Sequence, residues 1–133
     1  MILVTGSAGR VGRAVAAALR MDARAVRGFD LRPSGTGGEE VVGSLEDGQA
    51  LSKAMEGVSA VLHLGAFMSW APEDRDRMFA VNVEGTRRLL DAAAAAGVQR
   101  FVFASSGEFY PENRPEFLPV TEDHPLRPSS PYG

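Results

Sequence analysis

The stretch Met1-Ile2-Leu3-Val4-Thr5-Gly6-Ser7-Ala8-Gly9-Arg10-Val11-Gly12 reads as a buried strand that runs directly into a glycine turn. The apolar run up to Val4 has no polar residue to turn toward solvent, which predicts a strand over residues 1–5. Beyond the turn, Val11, Val15, Ala18 and Leu19 recur at helical spacing, so a helix is expected over about residues 10–20. Its first residues fall inside the glycine cluster. Three glycines in this setting suit a tight turn, a close approach of backbone to a pyrophosphate, and a close helix–strand contact. Unpaired N–H groups and a partial positive charge at the helix start would face the phosphates.

Outward from that turn the pattern repeats. Ala25, Val26 and Phe29 mark a second strand ending at Asp30, and residues 33–39, crowded with glycine and small polar residues, read as a loop. Val41-Val42 is a short third strand. Glu46 to Gly57 reads as a helix with Ala50, Leu51, Ala54 and Met55 on one face. Val58 to Leu64 is a fourth buried strand, and Pro72 to Ala96 a single long helix stopped by Gly97. Arg100 to Ser105 is a fifth strand. After Gly107 the prolines at 111, 115, 119, 125, 128 and 131 predict loop and turns. Alternating continuous apolar strands and helices predict an α/β fold, a doubly wound parallel sheet of Rossmann type in three α/β/α layers. Right-handed crossovers give the strand order 3-2-1-4-5. All of residues 1–133 are expected to form one dinucleotide-binding domain.

Composition narrows the function. A net charge of −3 leaves no basic field for nucleic acid or anionic lipid, so neither partner is expected. The absence of cysteine removes disulfides, thiolate metal sites and thiol catalysis together. Two histidines far apart, His63 and His124, do not suggest a metal cluster. The apolar N-terminus is too short for a signal-peptide core or a membrane span, and a cytoplasmic enzyme is expected.

Asp30 ends the second strand eighteen residues past Gly12, close to the spacing of about 20 expected for a carboxylate that binds the adenosine ribose hydroxyls. A carboxylate there repels a 2′-phosphate, so NAD is favoured over NADP. Arg10 and Arg32 oppose that preference, because either guanidinium can reach a 2′-phosphate.

Five segments, in order, resemble the extended short-chain dehydrogenase/reductases, specifically the NAD-dependent epimerase/dehydratase branch. TGSAGRVG at residues 5–12 matches the family's TGxxGxxG. HLGAFM at residues 63–68 resembles the segment along the cofactor's ribose and nicotinamide side, which implicates Leu64, Gly65, Ala66 and Met68. NVEGTRRLL at residues 82–90 matches NVxGTxxLL, so Asn82 is implied as the asparagine that bonds backbone near the cofactor. FVFASSGEFY at residues 101–110 resembles the strand bearing the catalytic serine or threonine, with Ser106 at that position and Ala104 beside the cofactor. RPSSPYG at residues 127–133 resembles the approach to YxxxK, placing the catalytic tyrosine, also a cofactor contact, at Tyr132. The glycine motif brings Gly6, Gly9, Arg10, Val11 and Gly12 to the cofactor, and the end of the second strand adds Asp30, Leu31 and Arg32.

The sequence departs from the family in two places. Many members carry an aspartate at the adenine-contacting pair, where this chain has Ser44-Leu45; serine accepts from an amino group less strongly than an ionised acceptor. The lysine of YxxxK falls past Gly133, so the chain is expected to be the N-terminal part of a longer enzyme and to be inactive alone. The resemblance implies a phenolate base at Tyr132, whose pKa the lysine lowers, and a substrate-oxygen contact at Ser106. The 4,6-dehydratases of the family carry an Asp-Glu pair after the catalytic threonine. Gly107-Glu108 supplies only its second half, with Glu108 a catalytic candidate or a solvent-facing carboxylate. A sugar-nucleotide epimerase, with 4-epimerase the leading reading, is therefore expected. Alternatives are an NAD(P)-dependent reductase or dehydrogenase, a 4,6-dehydratase, or a catalytically silent NAD(P)-binding sensor or scaffold. The resemblance also implies a homodimer built on the long helix. His63 reads as a core histidine bonded to backbone; Trp70 reads as either cleft rim or helix anchor.

Overall fold

The computed structural model describes residues 1–111 and 115–133. Five parallel strands form one sheet: β1 (Ile2–Thr5), β2 (Val26–Asp30), β3 (Glu39–Val42), β4 (Ala60–His63) and β5 (Arg100–Phe103). Their order is β3-β2-β1-β4-β5, as the crossover rule predicts. The register pairs Ile2 with Val26 on one side and with Ala60 on the other, so the ends of β1, β2 and β4 are level.

Side-chain alternation sends successive residues to opposite faces, and each face has its own core. Leu3, Phe29, Val41 and Val61 pack under α2 (Gly48–Met55) and the later helix α4 (Thr86–Ala95), where Leu51, Ala54, Leu89 and Ala93 are buried. Val4 and Val26 pack on the other face under Ala16 of α1 (Arg10–Met21), with Ile2, Leu19, Leu62 and Leu64 around them. The three layers expected from the strand–helix alternation are therefore present. At the β5 edge, Val102 and Phe103 stay about half exposed.

Local chemistry sets the helix ends more sharply than periodicity does. The expected helix 46–57 contracts to Gly48–Met55 because Asp47 caps it, its Oδ1 accepting from the Gln49 and Ala50 N–H groups at 2.9 and 3.1 Å. Its far end rests on Arg27 of β2, a buried guanidinium that donates to the Lys53, Ala54 and Glu56 carbonyls and pairs with Glu39. The expected strands contract in the same way, β4 to Ala60–His63 and β5 to Arg100–Phe103, while β3 extends back to Glu39.

The uninterrupted helix expected over 72–96 is a composite. A 3₁₀ turn (Pro72–Asp74) leads into α3 (Arg75–Met78), a π-helical segment (Phe79–Gly85) and then α4. Apolar spacing over 72–96 does not mark where the winding changes, because the polar side chains that hold it bond to partners outside the helix. Side chains hold it: the Asn82 amide accepts from Phe67 N–H and donates to Phe67 O, both at 2.8 Å. The Thr86 hydroxyl donates to the Asn82 carbonyl at 2.6 Å. Gly97, at φ +71°, ends α4 as expected, with Val98 N–H reaching back to Ala93 O.

Two substitutions test this packing with opposite signs. A Cβ at position 12 would overlap the Gly6 carbonyl oxygen and lie 2.7 Å from the Gly6 carbonyl carbon, so Gly12→Ala should cost about 3 kcal/mol or more. Ala23, at φ +55° after α1, occupies the left-handed position that glycine favours, and Ala23→Gly should add about 1 kcal/mol. Urea denaturation of both variants checks the pair.

Candidate functional site

A cavity of about 260 Å³ opens at the carboxyl ends of β1, β2 and β4, where the strand order reverses between β1 and β4. Ligands of open α/β sheets bind at this switch point, since the two flanking crossovers leave on opposite faces. The floor is made of three backbones in contact. Gly6, at φ +68°, turns the chain out of β1; a Cβ there would lie 2.7 Å from the Gly65 Cα. Gly9 N–H closes the turn on Gly6 O at 2.9 Å, and Gly12 packs the first turn of α1 against that carbonyl. Among the described residues no side chain caps α1, and its first turn carries no acidic residue. The N–H groups of Arg10, Val11 and Gly12 therefore point out of the helix start without helical partners, next to a cradle that any side chain would fill. Unpaired donors around a space free of side chains fit a pyrophosphate.

Asp30 sits at the far wall. One carboxylate oxygen accepts from Ala8 N–H at 3.0 Å, so it braces the glycine turn as well as facing the cavity. Leu31, Ser44, Leu45, Leu64, Gly65 and Ala66, all expected from the sequence, line the same space. Other expected residues bring no side chain to that lining. Arg10, Val11, Arg32 and Met68 are exposed, and Gly12 and Asn82 act behind the wall. Ala104 is exposed and continues the ladder through its N–H to His63 O. Six lining residues are not among those singled out for the site by spacing or by the motifs: Phe29, Gly43, Glu46, Phe67, Arg77 and Val81. The Arg77 guanidinium stacks 4.2 Å from the Phe67 ring centroid, a contact between elements that no local pattern announces.

The proposed chemistry residues gather on a separate turn. Ser106 caps the 3₁₀ turn Gly107–Phe109, its Oγ accepting from Glu108 N–H at 3.1 Å. Glu108 Oε2 accepts from Ser130 Oγ at 3.2 Å, and Ser130 Oγ in turn accepts from Gly133 N–H at 3.1 Å. Arg127 N–H donates to Phe109 O at 2.8 Å. The segment carrying Tyr132, itself half-buried, thus folds back on the turn carrying Ser106 and Glu108. Glu108 is partly buried and hydrogen-bonded rather than solvent-facing. His124, which the sequence leaves without a role, is buried in this region: its Nε2 accepts from Glu116 N–H and its Nδ1 lies 3.0 Å from Pro125 O.

Trp70 is 71% exposed, and one expectation is corrected at His63. His63 is buried, but its partners are hydroxyls, not backbone: Nδ1 lies 2.6 Å from Thr5 Oγ1 and Nε2 2.9 Å from Thr86 Oγ1. Burial pushes its pKa down to about 4. No group of three or more metal-ligating side chains occurs among the described residues, and no described helix is long and apolar enough to cross a membrane.

A glycine cradle at the switch point of a 3-2-1-4-5 sheet defines a dinucleotide-binding Rossmann domain. Residues 2–133 match the NAD dependent epimerase/dehydratase family, and the chain belongs to it. It is 89% identical, at a TM-score of 0.95, to a short-chain dehydrogenase/reductase superfamily protein from Agrobacterium tumefaciens solved with bound NAD; the match covers 99% of this chain and 40% of that one. The UDP-glucose 4-epimerase of Thermotoga maritima, solved with UDP-glucose, is 30% identical at a TM-score of 0.89, over 99% of this chain and 46% of that one. Sterol demethylase protein B of Methylococcus capsulatus is 40% identical over 110 residues, 78% of this chain and 34% of that protein. The chain spans about a third of the length of several curated relatives that it matches.

The lowered pKa of His63 gives a pH dependence of known sign. An unfolded histidine binds a proton near pH 6.5, while the folded one stays neutral to about pH 4. Between those values the unfolded chain binds more protons, so stability is full above pH 6.5 and falls as pH drops toward 4. The loss should be on the order of 3 kcal/mol, and His63→Asn should flatten that part of a urea-midpoint-against-pH curve.

Proposed function

We propose that this chain is the cofactor-binding part of an NAD-dependent enzyme that oxidises a hydroxyl carbon of a sugar nucleotide, with 4-epimerisation as the reaction. The observation that carries the reading is the backbone cradle of Gly6, Gly9, Gly12 and Gly65 with Asp30 on its far wall. In it the first turn of α1 holds the pyrophosphate. Asp30 takes the adenosine ribose hydroxyls, and Ser44-Leu45 lies toward the adenine. When bound, NAD supplies the hydride acceptor.

The proton belongs to the protein. Tyr132, as phenolate, takes it from the substrate hydroxyl as the carbon is oxidised. The lysine that the family places after the tyrosine lowers its pKa, since a phenol of ordinary pKa about 10 is a weak base near neutrality. Ser106 Oγ already accepts from Glu108 N–H, which leaves its own proton to donate to the substrate oxygen. Glu108 is committed to Ser130, and glycine precedes it where the dehydratases have an acid. That arrangement favours epimerisation or simple oxidation over water loss. Similarity to the 3-beta-hydroxysteroid dehydrogenase of Mycolicibacterium neoaurum, 36% identical over 115 residues, supports a second reading, an NAD-dependent dehydrogenase for another hydroxyl-bearing substrate. The full-length protein is read as a cytoplasmic homodimer, paired along the helical stretch where Phe79, Val83 and Leu90 are exposed.

Three measurements test this reading. Calorimetry should find NAD at least tenfold tighter than NADP, a difference of about 1.4 kcal/mol; equal affinities would remove Asp30 as the selecting group. In the full-length enzyme, Tyr132→Phe should leave NAD affinity nearly unchanged and lower kcat by orders of magnitude on a turned-over sugar nucleotide. Retained turnover would remove Tyr132 as the base, and turnover of sterols alone would select the second reading. Light scattering of the full-length protein should give a dimer at micromolar concentration.

A further inference from the structure

The hydrogen bonds around His63 determine where its proton lies. The Thr86 hydroxyl has one proton, and the Asn82 carbonyl 2.6 Å away can only accept it. Thr86 Oγ1 must therefore accept from His63 Nε2, which puts the ring proton on Nε2. The ring's Nδ1 is then an acceptor, and the Thr5 hydroxyl at 2.6 Å is its donor. Thr5 Oγ1 keeps its lone pairs for the Leu64 and Gly65 N–H groups, each 3.2 Å away. Every donor is used once and all bonds run in one direction, from the β4 exit through Thr5, His63 and Thr86 to the Asn82 carbonyl.

Both ends of this network reach the cavity. Gly65 is the residue against which Gly6 packs, and Asn82 grips Phe67 through both its N–H and its carbonyl. Gly65 and Phe67 line the cavity, whereas His63 and Thr86 lie behind it. We propose that His63 is a positioning residue for the cofactor cavity, a neutral imidazole protonated at Nε2 whose two threonine bonds hold Leu64-Gly65 against the glycine turn and tie it to the π-helical segment. The proposal rests on the dinucleotide reading of that cavity. It also gives the π winding a purpose, since the wider turn aligns Thr86 Oγ1 with the imidazole while Asn82 still reaches Phe67.

The test uses the full-length protein and has two independent arms. In the first, ¹⁵N spectra of the histidine side chains, with His63 identified by its loss in His63→Asn, should show a protonated Nε2 and an unprotonated Nδ1 at neutral pH. The opposite tautomer, or a charged ring, overturns the proposal whether or not the protein binds NAD. In the second, NAD affinity is measured by calorimetry. Thr86→Val, which keeps side-chain shape outside the cavity, should weaken NAD binding at least tenfold, and Thr86→Ser should restore it to within threefold of the parent. Thr5→Val should act likewise, and the double variant should lose less than the product of the two single losses, because both act through one ring. A folded Thr86→Val protein with parental affinity overturns the proposal. If Thr86→Val does not fold, Thr86→Ser retaining affinity while Thr86→Ala loses it supports the proposal, and equal affinities overturn it. Failure of the parent to bind NAD would defeat the functional reading instead, leaving the tautomer to be judged by the spectra alone.

Discussion

Three backbones meet without side chains between them at the end of β1, and most of the structure follows from that contact. Gly6 lies against Gly65, and Gly12 lies against the Gly6 carbonyl, so β1, β4 and α1 are locked within van der Waals distance at one point. Close approach of this kind is possible only where no Cβ intervenes. It brings the start of α1, with its first N–H groups unpaired, over the carboxyl end of β1 and opens the cavity at the place where crossovers diverge. Asp30 reinforces the same point from β2 by accepting from Ala8 N–H. Binding geometry and fold stability therefore share one set of atoms.

Around that point the polar groups are satisfied through long connections rather than local ones. Thr5 receives the β4 exit amides and meets His63, and His63 meets Thr86 across the sheet's α2–α4 face. Arg27 plays a parallel part further along β2, where its buried guanidinium takes carbonyls from the end of α2 that would otherwise be unpaired. Burying such groups would be costly alone, and the number of their partners makes them tolerable. The same logic holds for His124, which organises the proline-rich segment by accepting from Glu116 N–H beneath the Tyr110 and Phe117 rings.

Legibility in the sequence differs from element to element. The β1–α1 turn is legible because strand, glycines and helix are contiguous and each has a local signature. Asp30 is found from spacing alone, and it lines the cavity. The helix over 72–96 reads as one winding because apolar spacing does not mark where the winding changes; its bonds to Phe67 come from a segment fifteen residues away. Motif position points to Arg10, Val11 and Met68, yet their side chains face solvent, because a motif specifies backbone placement and not side-chain direction. Arg77 and Phe67 escape a sequence reading since their pairing joins two elements with no common pattern.

From the order of residues alone came the family, the parallel sheet and its strand order, the glycine turn and the carboxylate at the end of β2. The family came from the resemblance of five motifs, and the rest from signals close in sequence: period, turn chemistry and the handedness of a crossover. Tertiary packing chose which expected residues share a cavity, how the β4–β5 crossover winds, and on which nitrogen His63 carries its proton. Those outcomes depend on atoms far apart along the chain, such as Thr5 and His63, which stand 58 positions apart, and no local pattern encodes a distance of 2.6 Å between them.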